Sequence, residues 1–124
     1  MKIQAFRELE VYKKAFDLQQ KIFRLSKTFP SEEKYSLTNQ IRRSSRSIGA
    51  NLAESWKKRR YVAHFTSKLT DADGEQSETI HWLDTARACA YISAKQCNEL
   101  ITLCEEIGRI LGTMIRDADT WCFR

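Results

Sequence analysis

The chain has 124 residues, 42% of them hydrophobic and 30% charged, and its 21 Lys and Arg outnumber 16 Asp and Glu for a formal charge of +5. That length fits one domain over residues 1–124, large enough to bury a core without disulfide or metal staples. Four glycines and one proline speak against sheets joined by tight turns and for long helices, and no stretch approaches the roughly 18 consecutive apolar residues of a membrane span.

The first predicted helix runs from about residue 6 to 27. Leu9, Tyr12, Phe16 and Phe23 follow one stripe, and Val11, Leu18, Ile22 and Leu25 broaden it. It stops before Pro30, and Ser31 with Glu32 and Glu33 reads as the start of a second helix with acids in its first turn. That helix covers about 33–58, its inner side marked by Leu37, Ile41, Ile48, Leu52 and Ser55. The third spans about 61–88, with Phe65, Leu69, Ala72, Gln76, Thr79, Leu83 and Ala86 as its seam. After a break at CAYISAK, the fourth covers about 95–118 on Leu100, Leu103, Ile107, Leu111 and Met114, widened by Ile101, Ile110 and Ile115. Four amphipathic helices with short connections predict an all-α, antiparallel up-down four-helix bundle. Gly108 and Gly112, one turn apart, suggest a close approach. Trp82, Trp121 and Phe123 fall outside the main stripes, as aromatics of a homo-oligomer contact or of a covered bundle end would.

Seven of the basic residues lie in QIRRSSRSIGANLAESWKKRR, residues 40–60, with a single acid. On a wheel of about 100° per residue, Arg42, Arg43, Arg46, Lys57 and Arg60 fall opposite Ile41, Ile48 and Leu52. Ala50 and Ala53 share that sector. If the helix persists to residue 60, the strip is about 27 Å long. Such a strip suits phosphates, with Ser44, Ser45 and Ser47 adding hydrogen bonds at its edges. No aromatic interleaves it, so it offers no stacking platform. The expected nucleic-acid-binding residues are therefore Arg42, Arg43, Arg46, Lys57, Lys58, Arg59 and Arg60. Binding should be sensitive to salt and weakly specific. A solvated face, or cations at a helix C-terminus, explains the same charges without a ligand.

Nothing in the chain assembles a catalytic or cofactor site. His64 and His81 are about 25 Å apart if they share the third helix, too far for one metal. Glu75 and Glu78 sit on an acidic stretch with Asp71 and Asp73, but two carboxylates on an exposed helix are commonplace. The expectation is no enzyme activity, no metal and no cofactor. Asn51, Glu54, Gln76 and Glu78 read as a structural polar network bonding across helices. Cys89, Cys97, Cys104 and Cys122 form no CxxC pair and read as reduced, mostly buried thiols. With no apolar h-region in MKIQAFRELEVYKK, the expected location is the cytoplasm.

The sequence resembles the small four-helix-bundle family encoded in intervening sequences of bacterial 23S ribosomal RNA genes, the S23-type proteins. FRELEVYKKAFDL at 6–18, FPSEEKYSLTNQIRRSSRSIGANLAES at 29–55 and EEIGRILGTMI carry the resemblance, with Phe65, Gly74, Glu78, Leu83 and Tyr91-Ile92 between them. Two departures stand out. Ser55 replaces a glycine of the pattern, and Gly74-Glu75-Gln76 replaces its Gly-Ser-Leu, making the third helix more acidic. The resemblance implies a homopentamer without catalytic activity. The family is also similar to accessory proteins of diversity-generating retroelements, pentameric basic barrels that bind nucleic acid and partner a reverse transcriptase. Two functions follow as expectations. One is an oligomeric protein that binds RNA or DNA along the phosphate backbone, RNA somewhat preferred. The other is an assembly or protein-partner scaffold whose arginines dock acidic protein surfaces, with Asp71–Glu78 as a counter-surface.

Overall fold

The structure, a computed structural model, describes residues 3–123, and among these there are helices and no strand. A short 3-10 turn at Phe6–Glu8 leads into α1 (Glu10–Ser26). Leu9, Val11, Leu18 and Ile22 of its predicted stripe are sealed from water together with Ala15, while Tyr12, Phe23 and Leu25 are half-buried and Phe16 is exposed.

The second helix begins later than the sequence suggests. Ser31–Glu33 forms a separate 3-10 turn, and α2 covers Leu37–Lys57. Glu33 caps α2 from outside: its carboxylate accepts from the Leu37 amide at 3.3 Å and from the Tyr91 hydroxyl at 2.9 Å. Phe29 packs on Tyr91 with ring centroids 5.7 Å apart, so the loops before α2 and before α4 are stitched together at one end of the core. Tyr91 is consequently pushed up to about 12, because the hydrogen bond to Glu33 favours its protonated form.

Next come α3 (Val62–Ala88) and α4 (Ala94–Arg116). All seven predicted seam residues of α3 are buried. The helix ends with Ala90 at φ 63°, a left-handed conformation that alanine adopts under strain. The Tyr91 amide bonds to the Ala86 carbonyl and the Ala90 amide to that of Arg87, the paired hydrogen bonds of a Schellman terminus. Ser93 then opens α4 with a capping box: its Oγ accepts from the Gln96 amide, and Gln96 Oε1 accepts from the Ser93 amide. A four-residue helix, α5 (Ala118–Trp121), follows α4 and was not expected from the periodicity.

Each long helix packs on two others, α1 on α2 and α4, and α3 on α2 and α4. Between α2 and α3 the contact is close and polar at its centre. Ser44 and Ser45 are fully buried, correcting their expected place at the edge of a phosphate-binding strip. The Ser44 and Thr79 hydroxyls are hydrogen-bonded at 2.9 Å, and each also reaches a carbonyl of its own helix, Ile41 at 3.4 Å and Glu75 at 2.8 Å. Gly108 admits α3 to α4: a Cβ there would lie 3.0 Å from the Gln76 amide nitrogen. Gly112 faces open space. Trp121 stands edge-on to Trp56, centroids 6.2 Å apart, and so covers one end of the core, while Phe123 remains 63% exposed. Cys97 and Cys104 are buried, and Cys104 is pushed up to about 12 by desolvation. Cys89, expected in the core, is exposed at the end of α3. No helix among the described residues is long and apolar enough to cross a membrane.

Candidate functional site

The basic segment does not form one strip. Helix α2 is buried on a broad face because α1 and α3 flank it, and this sends adjacent arginines to opposite neighbours. Arg42 turns toward α1, where its Nε donates to Ser26 Oγ at 2.8 Å and its guanidinium carbon lies 4.8 Å from the Phe23 centroid. Arg46 stands over the same ring at 5.3 Å and Lys27 Nζ at 4.7 Å. Phe23, assigned to the core stripe by its spacing, is thus half-buried and surrounded by three cations. Among the described residues none of these three has an ion-pair partner.

Arg43 turns the other way. Its guanidinium donates to Glu75 at 3.1 and 3.3 Å and to Glu78, which hold its pKa above the ordinary arginine value. It is a clasp between α2 and α3.

At the far end, α2 stops at Lys57, because the backbone leaves the helical region at Lys58. The strip therefore does not continue as helix to residue 60. Arg59 packs 3.5 Å above the Trp56 ring and 4.6 Å from Phe123, and donates to the Trp56 carbonyl at 2.8 Å. Its carbonyl accepts from the Phe123 amide at 3.0 Å. Burial lowers its pKa, and the side chain anchors the C-terminal segment. Lys57, Lys58 and Arg60 are exposed around this turn, about 16 Å along α2 from Arg46.

The predicted polar network also separates into local pairs. Asn51 donates to the Ser47 carbonyl of its own helix at 2.9 Å. Glu54 pairs with Lys68 at 2.7 Å, which lowers the carboxyl and raises the ammonium pKa. Gln76 donates to Asp73 and Ser77 at 3.2 Å, and Glu78 accepts from Arg43 and from Trp82 Nε1. The four do not bond to one another, since each lies nearer a partner on its own turn or the facing helix. The buried cross-helix bond is Ser44 to Thr79 instead.

Around the first turns of α2, Lys34, Tyr35, Thr38, Asn39, Arg42, Arg43 and Arg46 line an open cleft of about 490 Å³. Lys34 and Tyr35 were not singled out by the wheel, which begins inside the helix. The signal available in sequence was their position just ahead of QIRRSSR. A second, acidic recess between α2 and α3 is lined by Asn51, Thr70, Asp71, Gly74, Glu75 and Glu78. No group of three or more His, Cys, Asp or Glu among the described residues is arranged to hold a metal ion.

A family model described as 23S rRNA-intervening sequence protein matches residues 7–113. Among solved structures, the chain is similar to a protein with unknown function from the S23 ribosomal protein family of Bacteroides thetaiotaomicron. The two are 32% identical, the similarity covers 85% of this chain and 97% of that one, and the TM-score is 0.77. No curated protein matches significantly.

Proposed function

From the premise that the chain belongs to the 23S rRNA-intervening sequence protein family, we propose that it is a non-catalytic, oligomeric nucleic-acid-binding protein that grips the phosphate backbone, RNA in preference to DNA. In this reading the four long helices form an antiparallel bundle and five copies close into a ring, the assembly the S23-type resemblance implies. Repetition around the ring multiplies individually weak phosphate contacts by avidity. Lys57, Lys58 and Arg60 form a secondary contact beyond the main face.

One observation carries the reading. Arg42 and Arg46 are held on an aromatic ring beside Lys27 with no carboxylate to neutralise them. Packing of this kind fixes a guanidinium's orientation and leaves its outer edge free for a phosphate oxygen.

The rival reading, a scaffold docking acidic protein surfaces, draws on the acidic recess. Its partner is a second copy of the chain or, by analogy with retroelement accessory proteins, a reverse transcriptase. The carboxylates of Asp71–Glu78 are already engaged, however: Asp71 with Lys68 at 3.9 Å, Asp73 with Gln76, and Glu75 and Glu78 with Arg43. An acidic surface satisfied within its own chain is a poor counter-surface for a neighbour's arginines.

The experiment is a salt titration of binding. Arg42→Ala with Arg46→Ala should weaken binding to all sequences alike. It should also lower the slope of log K against log salt by about 0.9 for each duplex phosphate that is no longer neutralised. Arg43→Ala should leave the slope unchanged. A double variant that binds like the parent would move the function to the scaffold reading.

A further inference from the structure

We propose that the cleft at the start of α2 is a nucleotide site that takes an unpaired base, so that the preferred ligand is single-stranded or looped nucleic acid rather than continuous duplex. This rests on the phosphate-binding reading and deepens it.

Tyr35 is the first observation. It is 82% exposed, the most exposed of the large hydrophobic side chains among the described residues. It lines the cleft with Arg42 and Arg46, and Lys34 Nζ lies 5.3 Å from its ring centroid. A flat π surface beside an ammonium offers a stacking face for a base and a cation for a phosphate. Stacking of this kind is available only to a base that has left its duplex partner, because paired bases already stack on one another.

The second observation lies in the cleft lining. Thr38 lines the cleft at 7% exposure, and its Oγ1 has no hydrogen-bond partner among the described residues. That hydroxyl is itself sealed from solvent beneath the lining, so it offers nothing to a ligand. Exposed Asn39 stands beside it, with a carboxamide able to meet a base edge. At about 490 Å³ the cleft falls within the ~300–1,000 Å³ typical of ligand pockets. It also opens at the N-terminal turn of α2, where the helix dipole favours an anion. The aromatic platform that residues 40–60 lack is thus supplied by a residue just outside them.

The test compares a labelled single strand, oligo-dT or oligo-rU, with a mixed-sequence duplex of equal length, each titrated against the full chain. Tyr35→Ala should lower single-strand affinity roughly 5- to 150-fold for removal of one stacked base, leaving duplex affinity and the salt slope unchanged. Tyr35→Phe should retain parental affinity. The side chain is exposed, so both variants keep the fold.

Tyr35→Ala with unaltered single-strand affinity would overturn the inference while leaving phosphate binding standing, as would an equal loss on both polymers. Polyglutamate displacing the single strand at equal charge concentration would assign the cleft to an acidic protein instead. Failure of the parent chain to bind either polymer would remove the phosphate-binding reading and this inference with it.

Discussion

Two buried hydroxyls, one unpaired and one paired, should respond to removal with opposite signs. Thr38 Oγ1 is buried without a partner, a state that costs about 1–3 kcal/mol relative to a satisfied group. Valine keeps the shape of the side chain and has a similar helix propensity, so Thr38→Val should stabilise the free protein by about 1 kcal/mol. With an unfolding entropy of roughly 2.1 cal/mol/K per residue, that is about 4 °C in Tm for this chain. Ser44 is fully buried, but its hydroxyl is bonded to that of Thr79. Ser44→Ala should therefore destabilise by about 0.5–1 kcal/mol after alanine's better helix propensity is counted. Urea melts followed by far-UV circular dichroism, at one fixed protein concentration, resolve both as midpoint shifts at constant m. A destabilised Thr38→Val, or two shifts in the same direction, would refute the assignment of the Thr38 hydroxyl as unpaired.

Other expectations follow from single features. Ala90→Gly should stabilise by about 1 kcal/mol, since glycine adopts φ 63° without the Cβ penalty; a loss in the same melts would contradict it. Absorbance titration should find one tyrosine ionising near pH 12 that disappears in Tyr91→Phe. Because its folded pKa lies above the ordinary value of 10.0, its stabilising contribution is complete below pH 10 and lost as pH rises toward 12. Arg43→Ala should lower stability by no more than about 1 kcal/mol, its side chain being half in water and its pairs screened. A thiol reagent should modify Cys89 first and reach Cys97 and Cys104 only on unfolding; early modification of Cys104 would place it outside the core.

The helices were legible where one neighbour dictates the pattern. Leu100, Ile107, Leu111 and Met114 recur at helical spacing and are all buried, as are the seven residues of the α3 seam. The basic surface was less legible because a wheel drawn from Ile41 assumes one buried side. Helix α2 has two neighbours, so Arg42 and Arg43, one residue apart, diverge onto α1 and α3. Ser44 and Ser45, read as hydrogen-bonding edges of a phosphate-binding strip, are instead buried, with Ser44 bonded across to α3. Arg59 was read as a free cation, although Trp56 three residues earlier is the stacking partner a helix end would offer. Tyr35 was legible as an aromatic beside the basic run but fell in a segment taken for the opening turn of a helix.

The central claim is that unpaired cations on an assembled ring bind nucleic acid. The most direct measurement titrates nuclease-treated protein against structured RNA at two salt concentrations, with light scattering on the same sample. The account predicts a particle of about five chains and binding that weakens steeply as salt rises. A folded oligomer that binds no RNA even at low salt would contradict it.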